Sequence, residues 1–147
     1  MRLLSQGSQY AISALIALAK QPDGKPVSAA DLAGPLKCPP AYLSRLLARL
    51  KPANIIRSHR GLNGGVSLAR PPEEISLIEV IHAIDGKEFF TQCFLGIEGC
   101  GQIEPCPFHE FWSVERKKIE AWLTEMTFAR IEEAMSDAWF DLRLKYS

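Results

Sequence analysis

The order of elements between residues 28 and 69 is the strongest constraint on the fold. Ser28 suits the N-cap of a short helix, predicted over Ala29–Ala33. The segment GPLKCPP, residues 34–40, predicts a break. A stronger helix is then predicted over Ala41–Lys51, because its leucines recur at helical spacing. These leucines are Leu43, Leu46, Leu47 and Leu50.

A hairpin is predicted directly after this second helix. Two β-prone runs, Ile55–His59 and Val66–Ala69, flank the sequence RGLNGG, and Asn-Gly followed by another glycine favours a tight turn. Short helix, break, second helix and glycine-tipped hairpin is the order of a winged helix-turn-helix. The predicted fold is therefore mainly α, with a small β-hairpin wing and a long C-terminal dimerisation helix.

Four more helices are predicted outside this unit. Ser8–Lys20 forms the first, and Ser76 caps another that runs to Ile84. Pro107 suits the start of a long amphipathic helix, and Thr127 can cap the last. The long helix carries a stripe of apolar residues: Phe111, Trp112, Ile119, Trp122, Leu123 and Met126. The tail after it is also apolar, with Trp139, Phe140, Leu142 and Leu144.

The predicted organisation has four parts. Residues 1–72 form a winged helix-turn-helix region, 73–90 a connecting helix, 91–109 a cysteine-rich loop, and 107–147 the dimerisation helix and tail. The apolar run Tyr10–Ala19 is too short to span a bilayer and is interpreted as a buried helix. The chain is therefore expected in the cytoplasm, with no membrane association.

Charge divides the chain into two unlike halves. Residues 1–72 hold ten Lys and Arg against two acids, a net charge of +8, and residues 73–147 carry −8. A basic half suggests contact with a polyanion, although clustering on solvated faces is the simpler alternative. Apolar residues make up 47% of the chain, enough for a packed core.

The second helix and the hairpin carry the candidate DNA-binding residues. A recognition helix presents polar or basic side chains to the groove and apolar ones to its partner helix. Arginine in a wing favours a minor groove because of the negative potential there, and glycines let the backbone approach phosphate. The alternative is an ordinary solvated helix and hairpin. The candidates are Tyr42, Ser44, Arg45 and Arg49 on the helix and His59, Arg60, Asn63 and Gly64 on the wing.

The cysteine-rich loop carries the candidate metal ligands. Its spacing is Cys93-x6-Cys100-x5-Cys106-x2-His109, more open than a zinc ribbon. Cytosolic thiols stay reduced, which favours metal or redox chemistry over disulfides. Three interpretations remain open: an iron–sulfur cluster, a structural Cys3His zinc site, or redox-active thiols. Cys38 lies alone in the helix-turn-helix and is predicted to be structural.

An enzyme is not expected. The sequence offers no nucleophile paired with a base, and no lysine follows the glycines of RGLNGG to make a phosphate loop. His82 lies in an apolar helix and is predicted to pack in the core.

From its first residues to about residue 135 the chain resembles the IscR/NsrR/CymR-type winged-helix transcription regulators of bacteria, most closely the IscR-like branch. The resemblance includes QYAISAL, PAYLSRLLARL, SHRGLNGGVSLAR, ISLIEVIHAIDG and the three cysteines before the long helix. It implies a homodimeric regulator, bound to a double-stranded DNA operator, that senses iron–sulfur, redox or nitric oxide status. It also implies that Arg60 enters the minor groove.

The same resemblance implies a cluster on Cys93, Cys100 and Cys106, completed by His109 as in the IscR-like branch. We expect [2Fe–2S] rather than [4Fe–4S], with zinc as the alternative. In the NsrR-like branch an N-terminal carboxylate completes the cluster site in place of the histidine. Ser8 stands in that region here, so this mode of ligation is not expected. The chain departs from the IscR-like branch at two points. The gap between its first two loop cysteines is one residue longer, and Ser44 stands in the recognition helix where that branch has a glutamate.

Overall fold

The computed structural model describes residues 3–102 and 104–135, which form six α-helices and a two-stranded antiparallel sheet. The predicted mainly α fold with a small hairpin is confirmed. The tail residues Trp139, Phe140, Leu142 and Leu144 lie outside the described residues. The elements are α1 (Gln6–Ala19), α2 (Ala29–Leu36), α3 (Pro40–Leu50), β1 (Ile56–His59), β2 (Gly65–Leu68), α4 (Leu77–Asp85), α5 (His109–Glu125) and α6 (Phe128–Ala134).

Helix α1 lies at the centre of the core. It contacts α2, α3, α4, α6 and β2, so one core runs through both the basic and the acidic half of the chain. Ala11, Ala14 and Leu15 are fully buried, and the two alanines let neighbouring helices approach closely. The apolar run at Tyr10–Ala19 is thus a core helix, as predicted. Among the described residues no helix is both long and apolar enough to cross a membrane.

Helix α2 extends to Leu36, so the prediction that it ends at Ala33 is wrong. Pro35 lies inside it and cannot donate a helical hydrogen bond. Leu36 is nevertheless buried, as is Leu32 one helical turn earlier, and this packing offsets the missing hydrogen bond at Pro35. The break comes at Lys37, which takes a left-handed conformation with φ of 52°.

Helix α3 follows this break at once, with Pro40 at its first position. All four leucines of the predicted stripe are buried, so the opposite face points away from the core. The wing then forms with Ile56 opposite Leu68 and His59 opposite Gly65.

The wing is bonded to the core by a third strand-like segment. Val27 and Val66 exchange two backbone hydrogen bonds of 2.9 Å. Gly65 permits this contact, because a Cβ there would lie 2.3 Å from the Val27 carbonyl oxygen. Only glycine fits at that position without moving the backbone.

Helix α4 begins with a capping box, in which Ser76 and Glu79 satisfy each other's backbone amides. The start of α6 is hydrogen-bonded to the start of α4. The Leu77 amide donates to the Met126 carbonyl, and the Phe128 amide donates to the Ile75 carbonyl. Thr127 caps α6 as predicted.

Helix α5 begins at His109, two residues after the predicted start at Pro107. Within α5 only Leu123 is buried among the described side chains, although the helix carries a broad apolar stripe. Phe111 is 71% exposed and Trp122 is 55% exposed.

Candidate metal centre and nucleic-acid interface

The cysteine-rich loop is fixed to the core at its beginning. Gly86 ends α4, and a 3₁₀ turn over Lys87–Phe90 brings Phe90 into the core, where its ring meets His82. Helix α5 then holds the next segment, because both Trp112 Nε1 (3.0 Å) and Arg116 Nη1 (2.9 Å) donate to the Gln92 carbonyl. The residue before Cys93 is therefore bonded to α5 at two points.

The loop brings the sulfurs of its three cysteines together. Cys93 Sγ lies 3.6 Å from Cys106 Sγ, and the sulfurs of Cys93, Cys100 and Cys106 all lie within 4.8 Å of one another. All three side chains are half-buried and free of disulfides. The Cys106 amide also donates to Cys100 Sγ at 3.3 Å, which orients that sulfur toward the others.

His109 lies beside these sulfurs, at the first residue of α5. Its Nδ1 is 3.8 Å from Cys100 Sγ, and its amide donates to the Cys106 carbonyl at 3.0 Å. Gly101 makes room for the ring, because a Cβ at position 101 would lie 2.4 Å from His109 Cε1. Three sulfurs thus form one compact group of donors, and the imidazole nitrogen lies next to one of them, that of Cys100.

The electrostatics of the group favour one thiolate. Burial disfavours ionisation of Cys93, but the amides of Ile97 and Leu95 and the two neighbouring thiols outweigh it and lower the pKa of Cys93 to about 7. At Cys100 the Cys106 amide favours the thiolate, yet burial and the other two cysteines together raise the pKa of that thiol. One thiol is thus prepared to ionise first, as expected where several thiols share a site.

The donor chemistry fits both metal groups considered for the loop. Thiolates with an imidazole are ligands of zinc and of iron–sulfur clusters. The 3.6 Å between Cys93 Sγ and Cys106 Sγ is close to the edge of about 3.8 Å that Zn–S bonds of 2.3 Å give in a tetrahedron. A larger group requires the sulfurs to separate, and the loop glycines at positive φ, Gly96, Gly99 and Gly101, leave the backbone free of Cβ strain for such a change.

Cys38 stands apart from this group, in the core. It is 5% exposed, and burial raises the pKa of its thiol. Its placement fits the predicted structural role. His82 is half-buried against Phe90, which also fits its predicted packing role.

Helix α3 presents its polar face away from the core. Ser44, Arg45 and Arg49 are exposed, whereas Tyr42 is half-buried against Tyr10, with ring centroids 6.1 Å apart. The Arg45 guanidinium lies 5.9 Å from the centre of the Tyr42 ring, which favours one orientation of this cation. Arg49 differs from the other candidates because its Nη1 donates to the Ile84 carbonyl at 3.1 Å, at the end of α4.

The wing presents Arg60 and Asn63 to solvent at its tip. His59 Nε2 lies 2.8 Å from Ser67 Oγ, so this ring is bonded within the wing. A Cβ on Gly64 would lie 2.5 Å from the His59 carbonyl oxygen, so glycine is required for the turn itself. Leu62 is fully exposed between Arg60 and Asn63 and was absent from the sequence-based candidates.

Sequence reasoning also missed the polar contacts that join distant segments. Asp85 accepts hydrogen bonds from Ser5 and Ser8, which lie about eighty positions earlier, and the bond from Arg49 to Ile84 spans 35 positions. No local pattern indicates such partners, because they are set by the packing of α1, α3 and α4.

Comparison with known proteins adds independent evidence. Residues 4–134 match the family model Rrf2, described as an iron-dependent transcriptional regulator. A Haemophilus influenzae protein provisionally named an HTH-type transcriptional regulator is 37% identical over 131 residues, which are 89% of this chain and 86% of that protein. The transcriptional regulator IscR of Serratia proteamaculans is 33% identical over 89% of this chain and 79% of its own length.

Among solved structures, IscR of T. potens superposes with a TM-score of 0.74 at 27% identity, over 92% of this chain and 89% of that one. These similar proteins are transcription regulators and not enzymes.

Proposed function

Because the chain belongs to the Rrf2 family of transcriptional regulators, we propose that it is a cytoplasmic homodimer that binds a double-stranded DNA operator and senses iron–sulfur, redox or nitric oxide status. In this proposal α3 and the wing contact DNA. A [2Fe–2S] cluster is held by Cys93, Cys100, Cys106 and His109, and its presence changes DNA affinity.

One observation carries the sensing part of the proposal. Three sulfurs lie within 4.8 Å of one another, and His109 Nδ1 lies 3.8 Å from one of them. The three sulfur donors converge, and the His109 ring lies beside Cys100, at the start of a helix whose N-terminus favours anionic thiolates. A bound cluster supplies a centre whose charge and ligation change on oxidation or nitrosylation.

A structural zinc ion on the same four residues is the second candidate. The specific observation in its favour is that all three sulfurs lie within 4.8 Å of one another, so that they can bind one tetrahedral ion with little change in the loop. With zinc the protein remains a DNA-binding regulator, but the loop holds α5 in place and senses nothing.

The DNA-binding part rests on charge and shape. The basic half carries +8, and Ser44 and Arg45 on α3 and Arg60 and Asn63 on the wing are exposed. Cationic side chains on these two elements can neutralise phosphates, which supplies most of the salt-dependent affinity for DNA. The polar atoms of Ser44 and Asn63 can read base edges.

The dimer part rests on the exposed face of α5. Phe111, Val114 and Trp122 are at least half exposed, and at 100° per residue they fall within about 80° of the helix circumference. Leu123 faces the core on another side. A second copy of α5 is the occupant we propose for this apolar face, because helix-turn-helix proteins commonly read two half-sites as dimers.

The first experiment is an absorption spectrum of protein purified without oxygen, with iron and acid-labile sulfide counted per chain. We expect a coloured protein with equal iron and sulfide, and a colourless Cys100→Ala variant. Cys38→Ala is the matched control, because it removes a core cysteine outside the loop and should keep the colour. Zinc without sulfide would support the second candidate and contradict the first.

A further inference from the structure

We propose that Asp85 is a positioning residue that links the metal-binding loop to the recognition helix α3 within one subunit. Asp85 is the last residue of α4, and the loop begins shortly after it. The inference rests on the proposed function, because it describes how a change in the loop reaches the DNA-binding face.

The side chain of Asp85 bonds the end of α4 to the start of α1. Its Oδ2 accepts hydrogen bonds from Ser8 Oγ at 2.6 Å and from Ser5 Oγ at 2.7 Å. Ser5 is the N-cap of α1, and its Oγ also accepts the Ser8 amide at 3.0 Å. Ser8 is fully buried, so its hydroxyl contacts neither solvent nor DNA.

The charge of Asp85 interacts favourably with the N-terminus of α1 and unfavourably with the C-terminus of its own helix, α4. A carboxylate at the C-terminus of a helix meets the negative end of the helix dipole, which is unfavourable. Near the N-terminus of α1 the same carboxylate meets two serine hydroxyls and the positive end of a dipole. The position of Asp85 costs α4 some stability and strengthens the junction between the two helices.

The recognition helix contacts the same junction. Arg49 of α3 donates to the Ile84 carbonyl at 3.1 Å, one residue before Asp85, and its cation suits this helix C-terminus. Gly7 of α1 lies so close that a Cβ there would be 3.1 Å from Leu46 of α3 and 3.3 Å from Ile84 of α4. The orientation of α3 is therefore set by the end of α4 and the start of α1 together.

The other side of the junction leads to the metal ligands. From Gly86 the chain passes through the 3₁₀ turn, whose Phe90 is buried, and through Gln92, whose carbonyl is bonded to α5. Cys93 follows directly. A shift of Cys93 relative to α5 can move the end of α4, and Asp85 and Arg49 join that end to α1 and α3.

The test compares metal-loaded protein with protein stripped of metal by a chelator. The probe is a DNA duplex selected from a random-sequence library by the loaded wild type. The measured quantity is the ratio of the two dissociation constants, for the wild type, Ser8→Ala and Asp85→Ala. Ser13→Ala is the matched control for Ser8→Ala, because Ser13 is also buried in α1 but its hydroxyl donates to the Gln9 carbonyl of its own helix. Glu73→Ala is the control for Asp85→Ala, since it removes an exposed acid.

We expect a wild-type ratio of at least about fivefold, in the usual range of allosteric coupling. In Ser8→Ala and in Asp85→Ala the two dissociation constants should differ by less than about twofold, although these variants bind as much metal as the wild type. Both controls should keep the wild-type ratio. Circular dichroism confirms folding, and Ser8→Ala alone decides the test if Asp85→Ala does not fold.

A wild-type ratio retained in Ser8→Ala and Asp85→Ala would overturn the inference, even though the proposed function would stand. Loss of the ratio in Ser13→Ala as well would also overturn it, because the effect would then reflect a general weakening of α1. A wild-type ratio of one would instead refute the proposed function, and the link would fail with it.

Discussion

Replacing Gly101 by alanine should displace His109 and weaken metal binding. A Cβ at position 101 would lie 2.4 Å from His109 Cε1 and about 3 Å from both ring nitrogens. Ordinary carbon–carbon contacts need about 3.5–4.0 Å, so the ring must retreat by about 1 Å or more. Metal–ligand distances tolerate only about 0.2 Å, so the imidazole leaves the set of donors.

Backbone strain must be separated from this clash. Gly101 has φ of +90°, where a residue with a Cβ costs about 1–2 kcal/mol more than glycine. Gly96 has φ of +71° and no atom within 4 Å of a built Cβ. Gly96→Ala is therefore a matched control that carries the strain without the clash.

The assay is competition for the metal with a chromophoric chelator, in parallel with iron and sulfide retained after desalting. We expect Gly101→Ala to lose about 10- to 100-fold in metal affinity, the range for disturbed ligand support. His109→Ala should show a loss at least as large, and Gly96→Ala should bind as the wild type does. Equal binding by Gly101→Ala and Gly96→Ala would refute the proposed role of His109.

Three further outcomes are expected. Phe111→Glu places a charge on the exposed face of α5 and should convert a dimer to a monomer in analytical ultracentrifugation. Arg60→Ala should weaken DNA binding and reduce the salt slope of the affinity by about one, as loss of one phosphate contact does. Burial opposes ionisation of Glu79, but the Ser76 amide and Arg70 outweigh it and lower the pKa of this carboxyl. Its stabilisation is present above the ordinary Glu pKa of about 4.3 and disappears as pH falls through the lowered pKa. Glu79→Gln should therefore lower the free energy of unfolding by less than about 1 kcal/mol at pH 7, after allowance for solvent screening, with a smaller difference in acid denaturation.

The parts of the fold that could be predicted from sequence are those set by local chemistry. The leucines of α3 recur at helical spacing, and all four are buried. The wing follows from Asn-Gly-Gly between two β-prone runs. The three loop cysteines are close in sequence, so a short glycine-rich segment can bring them together, and it does.

The parts that could not be predicted depend on tertiary packing. Pro35 signals a helix end, yet the burial of Leu36 extends α2 past it. The sequence marks Arg49 as a cation on an exposed face, and only the position of α4 reveals its bond to Ile84. Ser8 and Asp85 are 77 positions apart, and nothing near either residue indicates the other.

The most direct test of the central claim is the DNA affinity of one protein in two states. Wild type with its cluster and the same preparation after cluster removal are titrated against the selected duplex at one salt concentration, beside Cys100→Ala and Cys38→Ala. The proposed function predicts that the two wild-type states differ at least about fivefold, that Cys38→Ala behaves as the wild type, and that Cys100→Ala matches the stripped state under both conditions. Equal affinity of both wild-type states for the duplex would contradict the claim that the cysteine-rich loop controls DNA binding.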